Sequence, residues 1–460
     1  MGTDMKIYDT VIVGAGVTGL TAAWRLTQAG QDVLVLEARD RTGGRLRTED
    51  HNGSEFEIGG QWVSPDQEAL IGLVAELGLE TYSRYRSGES LYVDRSGAAR
   101  RFTGEDLPVE EQTAKEIDRI IGVIDELAEL MDPDRPWEHP QAAALDRVSF
   151  AQWLDAQTDD QEARDNIALY LGPAMLTKPI WSFSALTAVL MSASAGSFTH
   201  LVDADFILDK RVVGGLASVP SALAERLGDK VRLSSDVTHV AWSDSGAVVT
   251  VDGEQVGATS VVLALPPTHV RRIRIDPELP AEHRHAREHQ SFGLVIKVQA
   301  EYDTPFWRSG GLSGTGFGPW QLVHEVYDNT PHPTGPGAAT GTIVGFVSDV
   351  NADEVGRLSD DERRARILAS LAAYFGEEAL TPRTYVESDW QHQELTGGAY
   401  ATSFDVGSLT RYGAKLHEPV GPIRFGSSDI AGHGFQHVDG AVRIGTRLAE
   451  QILGHSSTVQ

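Results

Sequence analysis

The stretch Tyr8–Gly19, with the sequence YDTVIVGAGVTG, decides the fold of this 460-residue chain. Its apolar first half predicts a buried β-strand, and the segment that follows the glycines predicts a helix ending near Ala29. Between them, Gly14 allows a tight turn, Gly16 leaves no Cβ in the path of a pyrophosphate, and Gly19 lets the helix pack on the strand. The start of the helix offers free N–H groups and a positive dipole end. The stretch therefore predicts a nucleotide site, the alternative being an ordinary structural turn.

A second predicted strand supports the nucleotide interpretation. Val33–Leu36 is apolar and is followed by Glu37, eighteen residues after Gly19. In dinucleotide-binding folds a carboxylate at this place accepts hydrogen bonds from ribose hydroxyls. The two strands, the glycine turn and Glu37 together predict a dinucleotide-binding unit.

The next segment indicates which dinucleotide is bound. The run Glu37–Arg45, EARDRTGGR, combines cationic side chains with two glycines whose backbone can approach a phosphate or an isoalloxazine ring, and Gly59–Trp62, GGQW, follows it. The pattern E-A-R-x-R-x-G-G-R after G-x-G-x-x-G resembles the signature of the flavin-dependent amine oxidase family. The resemblance implies FAD, although a solvent-exposed position stays the alternative for Arg41. The cofactor-binding residues implied here are Gly14, Gly16, Gly19, Glu37, Arg39, Gly43, Gly44, Arg45, Gly60, Gln61 and Trp62.

Composition excludes several classes of protein. Hydrophobic residues make up 41% and charged residues 23% of the chain, as in ordinary globular proteins, and no run approaches the roughly 18 apolar residues of a membrane span. With 39 Lys and Arg against 66 Asp and Glu, the net charge of −27 disfavours nucleic acid and suits a cationic small molecule. The lack of cysteine excludes disulfides, thiolate nucleophiles and cysteine-ligated metals. We expect a cytoplasmic protein that does not bind membranes.

We predict an α/β fold in which a discontinuous Rossmann-like FAD-binding domain is interleaved with an α+β substrate-binding domain. Apolar residues at helical spacing predict a long helix at about 109–131 and a helical region at about 149–170, and residues 231–267 predict short alternating strands. The resemblance implies that the chain returns to the FAD-binding domain in these strands. The expected boundaries are 1–75, 207–290 and 400–460 for the FAD-binding domain, and 76–206 and 291–399 for the substrate-binding domain.

Later segments are expected to complete the cofactor site. The resemblance implies a backbone contact from Val237 to adenine and places Asp429 near the ribityl-phosphate. It also places the turn that begins at Val438 beside the flavin. A helix starting near Asp439 presents unpaired N–H groups that stabilise negative charge, although any C-terminal helix needs such a start.

Three residues are expected to be catalytic. Lys297 lies in an apolar strand where burial would lower its pKa, although lysine in a strand commonly extends to solvent. The resemblance implies that Lys297 hydrogen-bonds a water beside the flavin, and that the rings of Tyr400 and Phe435 flank the amine. Phe435 departs from the tyrosine more usual there. Ala399 occupies the position of the cysteine that links the flavin in covalent relatives, so FAD is expected to bind non-covalently.

The substrate is expected to be a small amine, with oxygen as the second reactant. Long runs, among them Glu57–Gln67, Thr304–Arg308 and Glu325–Thr330, resemble the bacterial putrescine oxidases within the family. A diamine needs its far ammonium neutralised by a carboxylate, and the resemblance implies Glu325, the alternative being the solvent-facing side of a strand. It implies oxidation of putrescine or a similar diamine to an imine and then an aldehyde, with release of ammonia and hydrogen peroxide.

Alternative functions stay open at this point. They are oxidation of a monoamine, a polyamine or an N-alkylated amine; an FAD dehydrogenase or desaturase with another acceptor; and binding without catalysis, as in the GDP-dissociation inhibitors, which resemble this fold. His433 and His437 have a metal-ligand spacing, but Gly434 between them favours a loop, so no metal is predicted. The sequence does not set the oligomeric state, and a homodimer is the candidate.

Overall fold

The computed structural model describes residues 5–104, 106–203, 206–332, 335 and 340–456, so the outer ends of the predicted FAD-binding domain, residues 1–4 and 457–460, lie outside the described residues. In these residues the strands form two large sheets and three small ones. The strands are β1 (Ile7–Val13), β2 (Val33–Leu36), β3 (Thr48–His51), β4 (Ser54–Glu57), β5 (Trp62–Val63), β6 (Thr81–Ser83), β7 (Glu89–Val93), β8 (Ala99–Phe102), β9 (Lys210–Val212), β10 (Val231–Arg232), β11 (Val237–Ser243), β12 (Gly246–Val251), β13 (Glu254–Leu263), β14 (Arg274–Asp276), β15 (Gln290–Phe292), β16 (Val295–Tyr302), β17 (Leu312–Phe317), β18 (Glu325–Asp328), β19 (Gly341–Ser348), β20 (Thr384–Glu387), β21 (Thr402–Phe404) and β22 (Ile423–Phe425).

Helices pack against both large sheets. A π-helical turn at Tyr170–Leu176 and short 3₁₀ turns connect some of them. The α-helices are α1 (Val17–Gln28), α2 (Glu68–Leu77), α3 (Glu111–Glu129), α4 (Ala142–Leu145), α5 (Phe150–Asp155), α6 (Gln161–Leu169), α7 (Ala185–Ser194), α8 (Phe198–Val202), α9 (Ser218–Leu227), α10 (Pro267–Val270), α11 (Ala281–Glu288), α12 (Phe306–Ser309), α13 (Asp349–Gly356), α14 (Asp360–Phe375), α15 (Leu409–Tyr412) and α16 (Val438–Ser456).

The first large sheet has the strand order β10-β2-β1-β13-β12-β11-β14, with β22 beside the second half of β13. Its central strands β2, β1 and β13 run parallel, while β12 is antiparallel to β13 and β11. Alternate side chains of β1 enter two different apolar clusters: Ile12 lies in one, and Val11 and Val13 lie in the other. At β1 and β2 the sheet is therefore buried on both faces, as their continuous apolar runs predict.

The second large sheet has the order β20-β16-β19-β18-β17-β7-β8 and is antiparallel except where β17 meets β7. Every residue of β16, β18 and β19 is buried. Polar residues in such strands are uncommon, because they must find partners away from water. Lys297 in β16 and Glu325 in β18 are two of them, so the sequence-based alternative that each side chain reaches solvent is wrong.

The predicted elements are largely observed. The strands expected at 231–267 are β10 to β13, and the long helix expected at 109–131 is α3. The helical region expected at 149–170 is divided into α5 and α6, because the Asp160 side chain accepts hydrogen bonds from the N–H groups of Glu162 and Ala163 and starts a new helix. In the part of the chain that the structure describes, no helix has the length and apolar content that a bilayer span requires.

Candidate active site

The glycine turn lies where the parallel strands of the first sheet end. A Cβ on Gly14 would lie 2.7 Å from the Ala264 carbonyl oxygen, and one on Gly19 would lie 2.1 Å from the Gly14 oxygen, so neither position accepts a side chain. A Cβ on Gly16 would meet nothing within 4 Å. The open space beside Gly16 is where a pyrophosphate can reach the start of α1.

Charged side chains hold the segment that follows β2. The Glu37 carboxylate accepts hydrogen bonds from the backbone N–H groups of Ala15 at 2.8 Å and Arg39 at 3.0 Å, which ties the glycine turn to the end of β2. Arg39 donates to the Thr396 hydroxyl at 2.6 Å. Arg41 donates to backbone carbonyls of its own loop, so it stabilises that loop and is not a free solvated side chain.

A cavity of about 380 Å³ extends from this turn to the second sheet. Among the buried polar atoms on its wall, Trp62 Nε1, Gln67 Oε1 and Gln436 Nε2 have no hydrogen-bond partner in the described residues. Buried polar atoms are normally satisfied, so these atoms indicate a polar ligand that contacts them. Together with the open space beside Gly16, they fit the dinucleotide that the sequence implies.

Most predicted site residues line this cavity. Gly19 does not, because it lies under the turn as the contact between helix and strand. Asp429 and Phe435 also lie elsewhere. The predicted residues on the cavity wall are Gly14, Gly16, Glu37, Arg39, Gly43, Gly44, Arg45, Gly60, Gln61, Trp62, Val237, Lys297, Glu325, Tyr400 and Val438.

Two buried charged residues face the cavity from one row of the second sheet. Phe346 in β19 is paired with Lys297 in β16 on one side and with Glu325 in β18 on the other. Residues in register on neighbouring strands point to the same face of a sheet. The row therefore places Lys297 and Glu325 on the same wall, separated by the ring of Phe346.

Lys297 is enclosed by oxygen atoms. Its Nζ donates to the carbonyl of Glu57 at 2.6 Å, to the carbonyl of Gly59 at 2.8 Å and to the Gln61 side-chain oxygen. Burial lowers the pKa of Lys297 to about 7, with Glu57 raising it and Arg211 lowering it further. The side chain can therefore change its charge near neutral pH.

Glu325 has a different environment. Burial raises the pKa of its carboxyl group to about 7, although the hydrogen bond from Tyr327 works in the opposite direction. The Tyr327 hydroxyl donates to Glu325 Oε2 at 2.8 Å. The rings of Trp62 and Tyr327 meet edge to face at 5.4 Å, and those of Phe346 and Tyr400 at 6.2 Å. The carboxylate thus lies in an aromatic enclosure that shields it from water.

Phe435 does not form the expected pair with Tyr400. It lines a second, smaller cavity with residues such as Trp137 and Leu416, whereas His437 lines the large cavity together with Tyr400. The reason is backbone geometry: Gly434 and Gln436 have φ of +69° and +70°, and the chain reverses direction there. His437, two positions after Phe435, is therefore the residue that lines the cavity together with Tyr400.

Asp429 does not line the cavity, and its carboxylate binds other residues of the chain. Its carboxylate accepts hydrogen bonds from Arg45 at 2.5 Å and from the Thr402 N–H at 2.6 Å. Burial alone would raise the pKa of Asp429, but the Arg45 guanidinium lowers it below the usual value. Asp429 therefore holds Arg45, and Arg45 lines the cavity.

Several residues on the cavity wall were not predicted from the sequence. Tyr327 could have been found, because it stands two positions after Glu325 in a strand and so shares its face. Gln67, Gln436 and His437 carry no such local signal. Among the described residues, no group of three acidic, histidine or cysteine side chains is placed to hold a metal ion.

The chain is similar to known proteins over nearly its whole length. A family model described as flavin-containing amine oxidoreductase matches residues 17–453. The putrescine oxidase of Kocuria rosea is 51% identical, with 99% of this chain and 98% of that protein covered. A solved wild-type putrescine oxidase bound to putrescine has a TM-score of 0.95 and 56% identity, covering 97% of this chain and 99% of that one. Cyclohexylamine oxidase from Brevibacterium oxydans has a TM-score of 0.92 and 29% identity, covering 98% and 99%.

Proposed function

Because the chain belongs to the flavin-containing amine oxidoreductase family, we propose that it oxidises short aliphatic diamines, with putrescine as the reference substrate. It is an FAD-dependent amine oxidase, and its residues fit that cofactor at the glycine turn and along the cavity. Family membership does not set the amine. The choice of a diamine depends on the surroundings of Glu325.

The observation that carries the proposal is that Glu325 is a buried carboxylate with one phenol as its partner among the described residues. Two neighbouring buried carboxylates are compensated by cations: Glu57 pairs with Arg211, and Asp328 pairs with Arg308, each at 2.7 Å. Burying an uncompensated charge is costly. A carboxylate in this position is therefore suited to a ligand that brings its own positive charge, such as an alkylammonium group.

The separation of Glu325 from Lys297 suits a short alkyl chain. The two residues are two strands apart in one row, so their backbones lie roughly 10 Å apart at about 4.8 Å per strand. With an ammonium held at Glu325, a chain of a few carbons brings the second nitrogen towards the side of the cavity where Lys297 lies. A monoamine fills the same space but leaves Glu325 without a counter-charge.

The aromatic wall orients the substrate and excludes water from its reacting end. Trp62, Phe346 and Tyr400 present ring faces and edges that accommodate the alkyl chain. Burial and the nearby Glu325 raise the pKa of Tyr400 well above its usual value, so its hydroxyl stays neutral beside the amine. The chemistry that bound FAD supplies is two-electron oxidation of the amine to an imine, which water converts to an aldehyde and ammonia while oxygen becomes hydrogen peroxide.

The names of the relatives support a diamine as the substrate, and they also indicate a second possible class of substrate. One relative is named putrescine oxidase, and a solved structure of such an enzyme has putrescine bound. Cyclohexylamine oxidase, which has a similar fold, is named for a cyclic monoamine. Monoamines are therefore the second candidate, and they lack the group that Glu325 would neutralise.

A peroxide-coupled assay of the purified holoenzyme separates these possibilities. The substrates are diaminoalkanes of three to six carbons, monoamines of equal length, N-alkylated amines and a longer polyamine. We expect kcat/KM for the best diamine to exceed that for the matched monoamine by roughly 10- to 100-fold, since a hydrogen bond to a charged group contributes about 1.5–3 kcal/mol. Equal values would overturn the diamine assignment. Reduction of an artificial dye without peroxide under air would identify a dehydrogenase.

Cellular location and oligomeric state are separate proposals. A chain without cysteine has no need of an oxidising compartment, which supports the cytoplasm. Fractionation of the source cells tests this location. Light scattering of the purified holoenzyme tests the proposed homodimer, and the mass of a single 49.8 kDa chain would contradict it.

A further inference from the structure

Three side-chain amides close a ring of hydrogen bonds with Lys297. Lys297 Nζ donates to Gln61 Oε1, and Gln61 Nε2 donates to Asn329 Oδ1 at 2.7 Å. Asn329 Nδ2 then donates to Gln299 Oε1 at 2.8 Å. The ring closes at the backbone carbonyl of Glu57, which accepts from Gln299 Nε2 at 3.1 Å and from Lys297 Nζ at 2.6 Å. We call this arrangement the amide ring, and all of its members are buried.

Lys297 and the Glu57 carbonyl impose the same orientation on the three amides of the amide ring. An ammonium group only donates, so it turns the oxygen of Gln61 towards Lys297. A backbone carbonyl only accepts, so it turns the nitrogen of Gln299 towards Glu57. Asn329 satisfies both neighbours only with Oδ1 towards Gln61 and Nδ2 towards Gln299. Each amide is therefore consistent with a donor at the position of Lys297.

Neutral oxygens stabilise the charge of Lys297. It has three acceptors, as many as an ammonium group has protons. The carboxylate of Glu57 is already paired with Arg211 at 2.7 Å, and Glu325 lies two strands away in the same row. Burial holds the pKa of Lys297 at about 7, so the loss of one acceptor changes its charge at neutral pH.

We propose that Asn329 is a positioning residue that keeps Lys297 in its charged form for the reaction with oxygen. Asn329 does not line the cavity, so it acts by fixing the amide of Gln61. A positive charge beside the cavity favours the reduction of oxygen, because oxygen gains negative charge as it accepts electrons. This inference rests on the proposed oxidase function but not on which amine is the substrate.

The test measures reoxidation of the flavin as a function of pH in Asn329→Leu and Asn329→Asp. The flavin of the purified holoenzyme is reduced photochemically without amine and mixed with oxygenated buffer in a stopped-flow instrument. In the wild type the rate constant should fall as pH rises through the pKa of Lys297. In Asn329→Leu the fall should occur about one to two pH units lower, because Gln61 is no longer held as an acceptor. In Asn329→Asp it should occur at higher pH, because a carboxylate stabilises the ammonium.

The matched control is Gln290→Leu, which removes a buried amide outside the amide ring and should leave the pH profile unchanged. Opposite displacements in the two Asn329 variants cannot arise from general loosening of the site. Wild-type profiles in both, or displacement in one direction, would overturn the inference. If neither variant retains FAD, Gln299→Leu breaks the ring one bond further away and should displace the profile to lower pH. A wild type that does not react with oxygen would overturn the oxidase function instead.

Discussion

Replacing Tyr327 by Phe isolates the hydrogen bond that orients the Glu325 carboxylate. The hydroxyl donates to Oε2 at 2.8 Å, and the ring is packed against Trp62 at 5.4 Å and Phe317 at 6.0 Å, so phenylalanine fills the same space. A hydrogen bond to a charged group contributes about 1.5–3 kcal/mol, and about 1.36 kcal/mol corresponds to one pKa unit. The pKa of Glu325, about 7 in the intact protein, should therefore rise by roughly one to two units.

The sign of the effect follows from the charge that binds the substrate. Glu325 attracts an ammonium only when it is ionised, and the folded protein already has its pKa above the usual value. At pH 7 the ionised fraction should fall from about half to between roughly a tenth and a hundredth. The ratio of kcat/KM for a diamine to that for the matched monoamine cancels the ionisation that both reacting amines share. This ratio should rise with pH through the pKa of Glu325, and in Tyr327→Phe the rise should occur one to two pH units higher.

The matched control is Tyr374→Phe. Its buried hydroxyl donates to the carbonyl of Val323 at 2.8 Å, not to Glu325, so the pH dependence of the ratio should stay that of the wild type. A Tyr327→Phe enzyme with normal FAD content and an unshifted profile would refute the reasoning. It would mean that the hydroxyl does not bear on the ionisation of the carboxylate.

Three further predictions follow from other contacts. Glu325→Gln should lower kcat/KM for diamines roughly 10- to 100-fold in the peroxide assay while changing that for monoamines about twofold or less. Arg211→Met leaves the Glu57 carboxylate buried and unpaired, so chemical denaturation should show a loss of about 3–5 kcal/mol in the free energy of unfolding, and an unchanged value would contradict the pairing. Gly19→Ala places a Cβ 2.1 Å from a backbone oxygen and should reduce the FAD content of the purified protein, whereas Gly72→Ala, with nothing within 4 Å, should not.

Local sequence patterns predicted the parts of the site that depend on backbone. The glycine turn, the strands that enclose it and the helix that begins at Val438 are each encoded in a few consecutive residues. Gly14 has a φ of +105° and faces a carbonyl oxygen too closely for a side chain, while Gly16 faces open space. The resemblance to a family then supplied the expected roles of Lys297 and Glu325. The apolar neighbours in the sequence indicated burial for Lys297 but not for Glu325.

The remaining features depend on local backbone torsion angles or on contacts between distant segments. Phe435 was misplaced because the direction of a side chain in a tight turn depends on the φ of its neighbours, and Gln436 has a φ of +70° without being a glycine. The pairing of Asp429 with Arg45, which is 384 residues away in the chain, was not predicted from the sequence. The amide ring likewise joins segments that only the folded sheet brings together, so no short motif predicts it.

Lys297 and Glu325 give the two ends of the cavity opposite charges. Both groups have a pKa of about 7, and they lie on one wall with Phe346 between them. Near pH 7 each group is partly ionised, and the ionised Glu325 carboxylate favours the protonated nitrogen of a diamine at its end. A positive or partly positive Lys297 disfavours a second ammonium at the other end, because like charges in a site of low polarity repel. A diamine with one charged and one neutral nitrogen matches this gradient, and oxidation requires the neutral nitrogen at the end where Lys297 lies.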